Sequence, residues 1–137
     1  MRQTLEQGLS MLSTQICPQA VDRLLKFSEM LLEKNKVMNL TAVTEPMEVV
    51  TRHFLDCAVL MSRMISGEKV LDVGTGAGFP GLPLAILCPE SEFVLIDALR
   101  KRMDFLNEVI DALDLKNVKA IHARAEEFAR EHRGAFD

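Results

Sequence analysis

The chain has 137 residues, is 48% hydrophobic, and carries 16 basic against 20 acidic side chains, a formal charge of −4. That suffices for one domain with a modest core and excludes a nucleic-acid binder that works through bulk positive charge. The three cysteines, Cys17, Cys57 and Cys88, are odd in number and far apart; they form neither a disulfide framework nor a zinc pattern, no apolar run reaches membrane-spanning length, and no signal-peptide core opens the chain, so a cytoplasmic protein with reduced thiols is expected.

Leu5, Leu9 and Leu12 recur at helical spacing and predict a short first helix. Pro18 suits the first turn of a second helix, whose face is Val21, Leu24, Leu25, Ser28, Leu31 and Leu32, ending near Lys36. Asn35 to Thr41 reads as a loop. Thr44 caps a third helix with Pro46 just inside it; Phe54, Leu55, Ala58, Val59 and Met61 carry it towards Met64, and Ser66-Gly67 ends it. From residue 69 the rhythm becomes strand, helix, strand, helix. The expected strands are Lys69–Val73, Glu92–Ile96 and Val118–Ile121. The expected helices are Leu82–Leu87, stopped by Pro89; Arg102–Leu113, with Met103, Leu106, Val109, Ile110 and Leu113 inward and Asn117 beyond it; and Ala125–Glu131. Gly134 to Asp137 reads as the entry to a fourth strand. This alternation predicts an α/β fold with a parallel, Rossmann-like sheet over 67–137, preceded by a helical segment over 1–66.

The most informative stretch is Val70-Leu71-Asp72-Val73-Gly74-Thr75-Gly76-Ala77-Gly78-Phe79-Pro80-Gly81. A strand that turns into a helix through glycines lets a ligand approach the backbone closely, which points to a nucleotide-like cofactor. Gly76 to Gly81 matches G-x-G-x-x-G as a string. In the dinucleotide fingerprint, however, the first glycine follows the strand directly. Here that glycine is Gly74, and the third glycine counted from it would fall on Phe79. Asp72 at the strand end would repel a diphosphate and suits a cationic group. S-adenosylmethionine carries a sulfonium and an ammonium and no phosphate, and D-x-G-x-G-x-G is the loop pattern of class I methyltransferases. Register and charge therefore favour S-adenosylmethionine, with Asp72, Gly74, Gly76 and Gly78 in its loop; a dinucleotide and a purely structural tight turn are the competing readings.

Asp97 ends the second strand, 23 residues after Gly74. A carboxylate there can accept both ribose hydroxyls, with Ala98 and Leu99 beside the adenosine; the alternative is a helix cap. The segment after the third strand, His122 to Glu127, faces the same end of the sheet. Ala125 and Glu126 can read the adenine edge there, or Glu126 simply favours a helix N-terminus. Arg52, His53 and Asp56 lie ahead of the sheet; Arg52 and Asp56, four apart, can pair on a helix face. Arg100-Lys101-Arg102 is the densest basic cluster, either a solvated helix start or a grip on a phosphate backbone.

Taken in order, Asn39-Leu40-Thr41, Arg52-His53-Phe54-Leu55-Asp56, Asp72 through Gly81, Asp97 through Lys101-Arg102, and Arg124-Ala125-Glu126 resemble the small-subunit ribosomal RNA guanine-N7 methyltransferase G family, once called glucose-inhibited division protein B. The resemblance runs along essentially the whole chain. It implies a class I S-adenosylmethionine-dependent fold, methylation of a guanine N7 in 16S ribosomal RNA, free or within the small ribosomal subunit, and cofactor contacts at Gly74, Phe79, Asp97 to Leu99 and Ala125 to Glu126. It also implies further strands and a Ser-Arg-Ala segment beyond Asp137, so the expectation is a fragment or truncated product, against the alternative of a complete small domain. N7 has a lone pair and no proton to lose, so no general base is needed. Arg52, His53, Lys101 and Arg102 are then expected to position RNA, and no metal is expected. The rival readings are a small-molecule or protein methyltransferase and an inactive cofactor-binding or dimerising module.

Overall fold

The computed structural model describes residues 2–12, 18–38, 53–61 and 67–136. Within them the order is α1 (Arg2–Leu12), α2 (Pro18–Met38), α3 (Leu55–Met61), β1 (Lys69–Val73), α4 (Gly81–Leu87), β2 (Glu92–Asp97), α5 (Arg100–Ala112), β3 (Val118–His122) and α6 (Ala125–Glu131). The strands form one parallel sheet in the order β1-β2-β3. Val73 of β1 pairs with Ile96, and Asp97 of β2 with His122, so all three strands end at one edge of the sheet.

The apolar run Phe93 to Ile96 explains why β2 sits in the middle. Phe93, Leu95 and Ile96 are buried, as befits a parallel strand covered on both faces. β1, at the edge, is only half-buried along Val70 to Asp72. α5 lays Met103, Phe105, Leu106 and Val109 into the core and packs on β2 and β3. α4, almost wholly apolar, is buried from Gly81 to Ile86. α2 touches both α4 and α5, with Val21, Leu24, Phe27 and Leu31 buried along it. The helices before residue 67 and the sheet after it therefore share one continuous hydrophobic core.

Several boundaries differ from the sequence reading. α2 runs on to Met38 through residues expected to be loop. Phe27 and Phe105 are fully buried although neither was placed on an inward face; both apolar stripes are wider than the leucine spacing suggested. α5 starts at Arg100 because the amides of Arg102 and Met103 already bond the Leu99 carbonyl. Asn117 is a peg more than a breaker: its Nδ2 donates to the carbonyls of Ala85, Cys88 and Ser91 at 3.0–3.1 Å, tying the end of α4 to the start of β3. Gly134 to Phe136 is turn and irregular backbone, so no fourth strand occurs among the described residues. Asn39 to Arg52, with the Thr44 cap and Pro46, lies outside the described residues, as do Cys17, Ser66 and Asp137. Cys57 is a buried thiol and Cys88 a half-buried one. No described helix is long and apolar enough to cross a membrane.

Candidate functional site

A pocket of about 410 Å³ opens where the three strands end, lined by Val73, Gly74, Ile96, Asp97, Ala98, Ala123, Arg124, Ala125 and Glu126. The carboxyl end of a parallel sheet is where such folds bind ligands, because the helix starts and turns converge there. Five of the residues expected from sequence, Gly74, Asp97, Ala98, Ala125 and Glu126, meet in this one cavity.

Gly74 brings the glycine loop to the edge of this pocket, while Gly76 and Gly78, also expected at the cofactor, do not line it. Gly74, Gly76 and Gly78 all have positive φ, at 69°, 60° and 103°, where a side chain is strained. A Cβ at Gly74 or Gly76 would meet open space, whereas one at Gly78 would meet Leu106 at 2.8 Å. Gly74 thus leaves room at the pocket, Gly76 is required by its backbone conformation alone, and Gly78 lets the loop press against α5. The loop amides are mostly consumed internally. Gly74 and Thr75 donate to the Ile96 carbonyl, Gly76 to Asp97 Oδ2, and Gly78 and Phe79 to the Thr75 carbonyl. A nest that cradles phosphate needs amides aimed at the ligand, so the loop is poorly suited to a pyrophosphate. This bears on the dinucleotide reading through bonding that the one-dimensional pattern did not contain, and Asp72, expected to face a cationic group, is turned inward onto Thr75 and Gly81 and does not line the pocket.

Asp72 braces this loop. Its Oδ2 accepts from the Thr75 hydroxyl at 2.6 Å and from the Gly81 amide at 3.0 Å. A Cβ at Gly81 would sit 2.8 Å from that oxygen, so Gly81 is required for the seat. Burial pushes the Asp72 carboxyl above its usual range; the Thr75 and Gly81 hydrogen bonds pull the other way, and the Asp97 charge adds to the rise. Asp97 is only 6% exposed. Burial alone would raise it too, but the amides of Leu99 and Gly76 and the Arg102 guanidinium outweigh that and hold it below the usual carboxylate range. Asp97 is therefore the firmly ionised member of the pair.

The remaining expected residues fall in different places. Leu99 is 53% exposed and gives its amide to Asp97 Oδ1 at 2.9 Å. Phe79 turns its ring away from the pocket, into the helical layer, with centroids 5.5 Å from Phe27, 6.0 Å from Phe54 and 4.5 Å from His53. His53 thus meets the loop through Phe79 and not through the pocket. Lys101 is exposed on the first turn of α5. Arg102, expected to face RNA, instead places Nη1 3.3 Å from Asp97 Oδ2. Arg52, and with it any pair to Asp56, lies outside the described residues. Sequence reasoning missed Thr75, whose hydroxyl holds Asp72, and His122, whose Nε2 is 2.9 Å from the Ala98 carbonyl. A threonine three residues after Asp72, inside the glycine run, was the available signal for the first; the second required the β2–β3 register. Among the described residues no cluster of His, Cys, Asp and Glu could hold a metal ion.

A parallel sheet whose first strand ends in a braced glycine loop, and whose second ends in an ionised carboxylate beside an open pocket, defines a class I methyltransferase fold. A family model described as GidB, rRNA small subunit methyltransferase G, matches residues 20–137, and the chain belongs to that family. Among curated proteins it is similar to the ribosomal RNA small subunit methyltransferase G of Desulfitobacterium hafniense (strain Y51), 50% identical over 121 residues, covering 85% of this chain and 50% of that protein. The proteins of the same name from Lachnoclostridium phytofermentans and Photobacterium profundum are 46% and 41% identical over 98% and 96% of the chain, covering 57% and 63% of their own lengths. The chain thus spans between half and just under two thirds of the length of these relatives.

Proposed function

We propose that this chain supplies the cofactor-binding part of an S-adenosylmethionine-dependent enzyme that methylates guanine N7 in small-subunit ribosomal RNA in the cytoplasm. The observation that carries it is the pocket at the strand ends, with ionised Asp97 on its wall and a loop whose amides are already bonded. These features suit a nucleoside without phosphates. When bound, S-adenosylmethionine supplies a methyl group activated on a sulfonium.

The roles of this chain's residues follow from their positions. Asp97 accepts from the ribose hydroxyls. Gly74 leaves space for the body of the cofactor, Gly76 holds the turn of the loop, and Gly78 seats the loop on α5. Ala98 and Leu99 flank the adenosine, and Ala125 and Glu126 lie where an adenine edge would be read. Asp72 acts through the loop that it braces, and Phe79 fixes that loop to the helical layer. A lone-pair nucleophile needs no general base, so rate comes from holding N7 in line with the methyl group. Lys101, exposed on the first turn of α5, is suited to a backbone phosphate, His53 belongs to the neighbouring helical layer, and Arg52 is kept as an RNA-positioning residue from the sequence reading alone.

Calorimetry with S-adenosylmethionine, S-adenosylhomocysteine and NAD tests the cofactor: the first two should bind and NAD should not, and tighter NAD binding would overturn the reading. Radiolabelled methyl transfer to small-subunit ribosomal RNA against a panel of small molecules and proteins tests the acceptor. Lys101→Ala should weaken RNA binding and lower the steepness of its salt dependence by roughly one phosphate contact, leaving cofactor affinity in place.

A further inference from the structure

The Asp97 carboxylate is nearly full. A carboxylate offers about four lone-pair sites. Here Oδ1 accepts from the Leu99 amide at 2.9 Å, and Oδ2 from the Gly76 amide at 3.0 Å and Arg102 Nη1 at 3.3 Å. Gripping two neighbouring ribose hydroxyls takes two acceptor sites, so one donor has to leave. The Leu99 and Gly76 amides are backbone, fixed by the β2–α5 turn and by the glycine loop. Arg102 reaches it through a long side chain that is 38% exposed, whereas the Asp97 side chain is buried. Its single contact is also long for a charge-assisted bond. Arg102 is therefore the donor that can go without disturbing the fold. It stands on the first turn of α5 next to Arg100 and Lys101, both exposed, in a chain that is otherwise acidic.

Building on the cofactor reading above, we propose that the cofactor's ribose displaces Arg102 from Asp97, and that the released guanidinium then takes an RNA phosphate, so that cofactor and RNA each favour binding of the other. While the guanidinium sits on Asp97 it is lost to RNA. Once the ribose hydroxyls occupy Asp97, that hold is gone and the charge turns to the substrate side. By thermodynamic reciprocity, RNA that captures Arg102 vacates Asp97 for the ribose by the same factor.

The test uses the polypeptide as its organism makes it, S-adenosylhomocysteine as the ligand and protein-free small-subunit ribosomal RNA. The thioether has no sulfonium, so any coupling cannot come from the cofactor's own positive charge. Saturating S-adenosylhomocysteine should tighten RNA binding by roughly fivefold or more, and RNA should tighten S-adenosylhomocysteine binding equally. Arg102→Gln should abolish that factor while binding S-adenosylhomocysteine alone at least as tightly as the parent. Lys101→Gln should weaken RNA binding yet keep the factor. Independent binding in the parent, coupling that survives Arg102→Gln, or a large loss of S-adenosylhomocysteine affinity in Arg102→Gln without RNA would each overturn the proposal. A parent that does not bind S-adenosylhomocysteine at all overturns the cofactor reading as well, so the two failures are distinguishable.

Discussion

Asp72 and Asp97 are two carboxylates of one loop system whose surroundings push them in opposite directions. Asp72 is raised by burial, so between the usual aspartate value of 3.8 and its higher folded value the native chain binds more protons than the unfolded one. Stability therefore falls as pH rises through that window. Asp72→Asn keeps an oxygen for Thr75 and Gly81 and removes the charge; it should flatten that slope and equal or exceed the parent's stability at neutral pH. Asp72→Ala loses both hydrogen bonds and should cost about 1–3 kcal/mol. Urea unfolding from pH 4 to 8 separates the two variants. Asp97 runs the other way: its lowered value adds stability that is present above 3.8 and is lost as pH falls through the folded value. Asp97→Ala should weaken S-adenosylhomocysteine binding by roughly 1–3 kcal/mol, measured by calorimetry on protein shown to be folded. Cys57 is a contrast, a thiol that burial and the nearby Asp56 and Asp72 charges push up to about 12. It should resist thiol reagents at pH 8 until the chain is unfolded.

At the scale of elements, the glycine loop is held from three sides. Asp72 pins it to β1, Asp97 to the end of β2, and Phe79 to Phe27 of α2 and to Phe54, which directly precedes α3. Phe79→Ala removes the third hold. It should cost about 2 kcal/mol, below the range for a fully buried phenylalanine because the ring is half-buried. It should also loosen cofactor binding while Asp97 is intact. Thermal melting and calorimetry on the one variant read both effects, and unchanged cofactor affinity would show that the helical layer does not set the loop.

Over the whole molecule, β1 lies at the sheet edge among the described strands, with Val73 54% exposed at its end. Open edges with apolar side chains invite pairing with another chain. The 137-residue polypeptide studied alone should self-associate as its concentration rises, and Val73→Lys should reduce this. Sedimentation velocity is the check; a parent that stays monomeric at high concentration would show that the edge is harmless.

The strand–helix rhythm, the positions of the three observed strands to within a residue, the glycine loop and the carboxylate ending β2 were legible in the chain's local patterns, whereas the expected entry to a fourth strand was not borne out among the described residues. The legible features depend on apolar runs, glycines at alternate positions, and a fixed separation between Gly74 and Asp97. Which polar groups meet depends on the folded arrangement. Arg102 facing Asp97, Asp72 turned onto Thr75 and Gly81, Asn117 across three carbonyls, and the Phe79 ring among Phe27, Phe54 and His53 depend on side-chain directions and on contacts between separate elements. A one-dimensional pattern shows that a basic cluster follows Asp97. Only the start of α5, set by the Leu99 carbonyl, turns Arg102 rather than Lys101 towards the carboxylate.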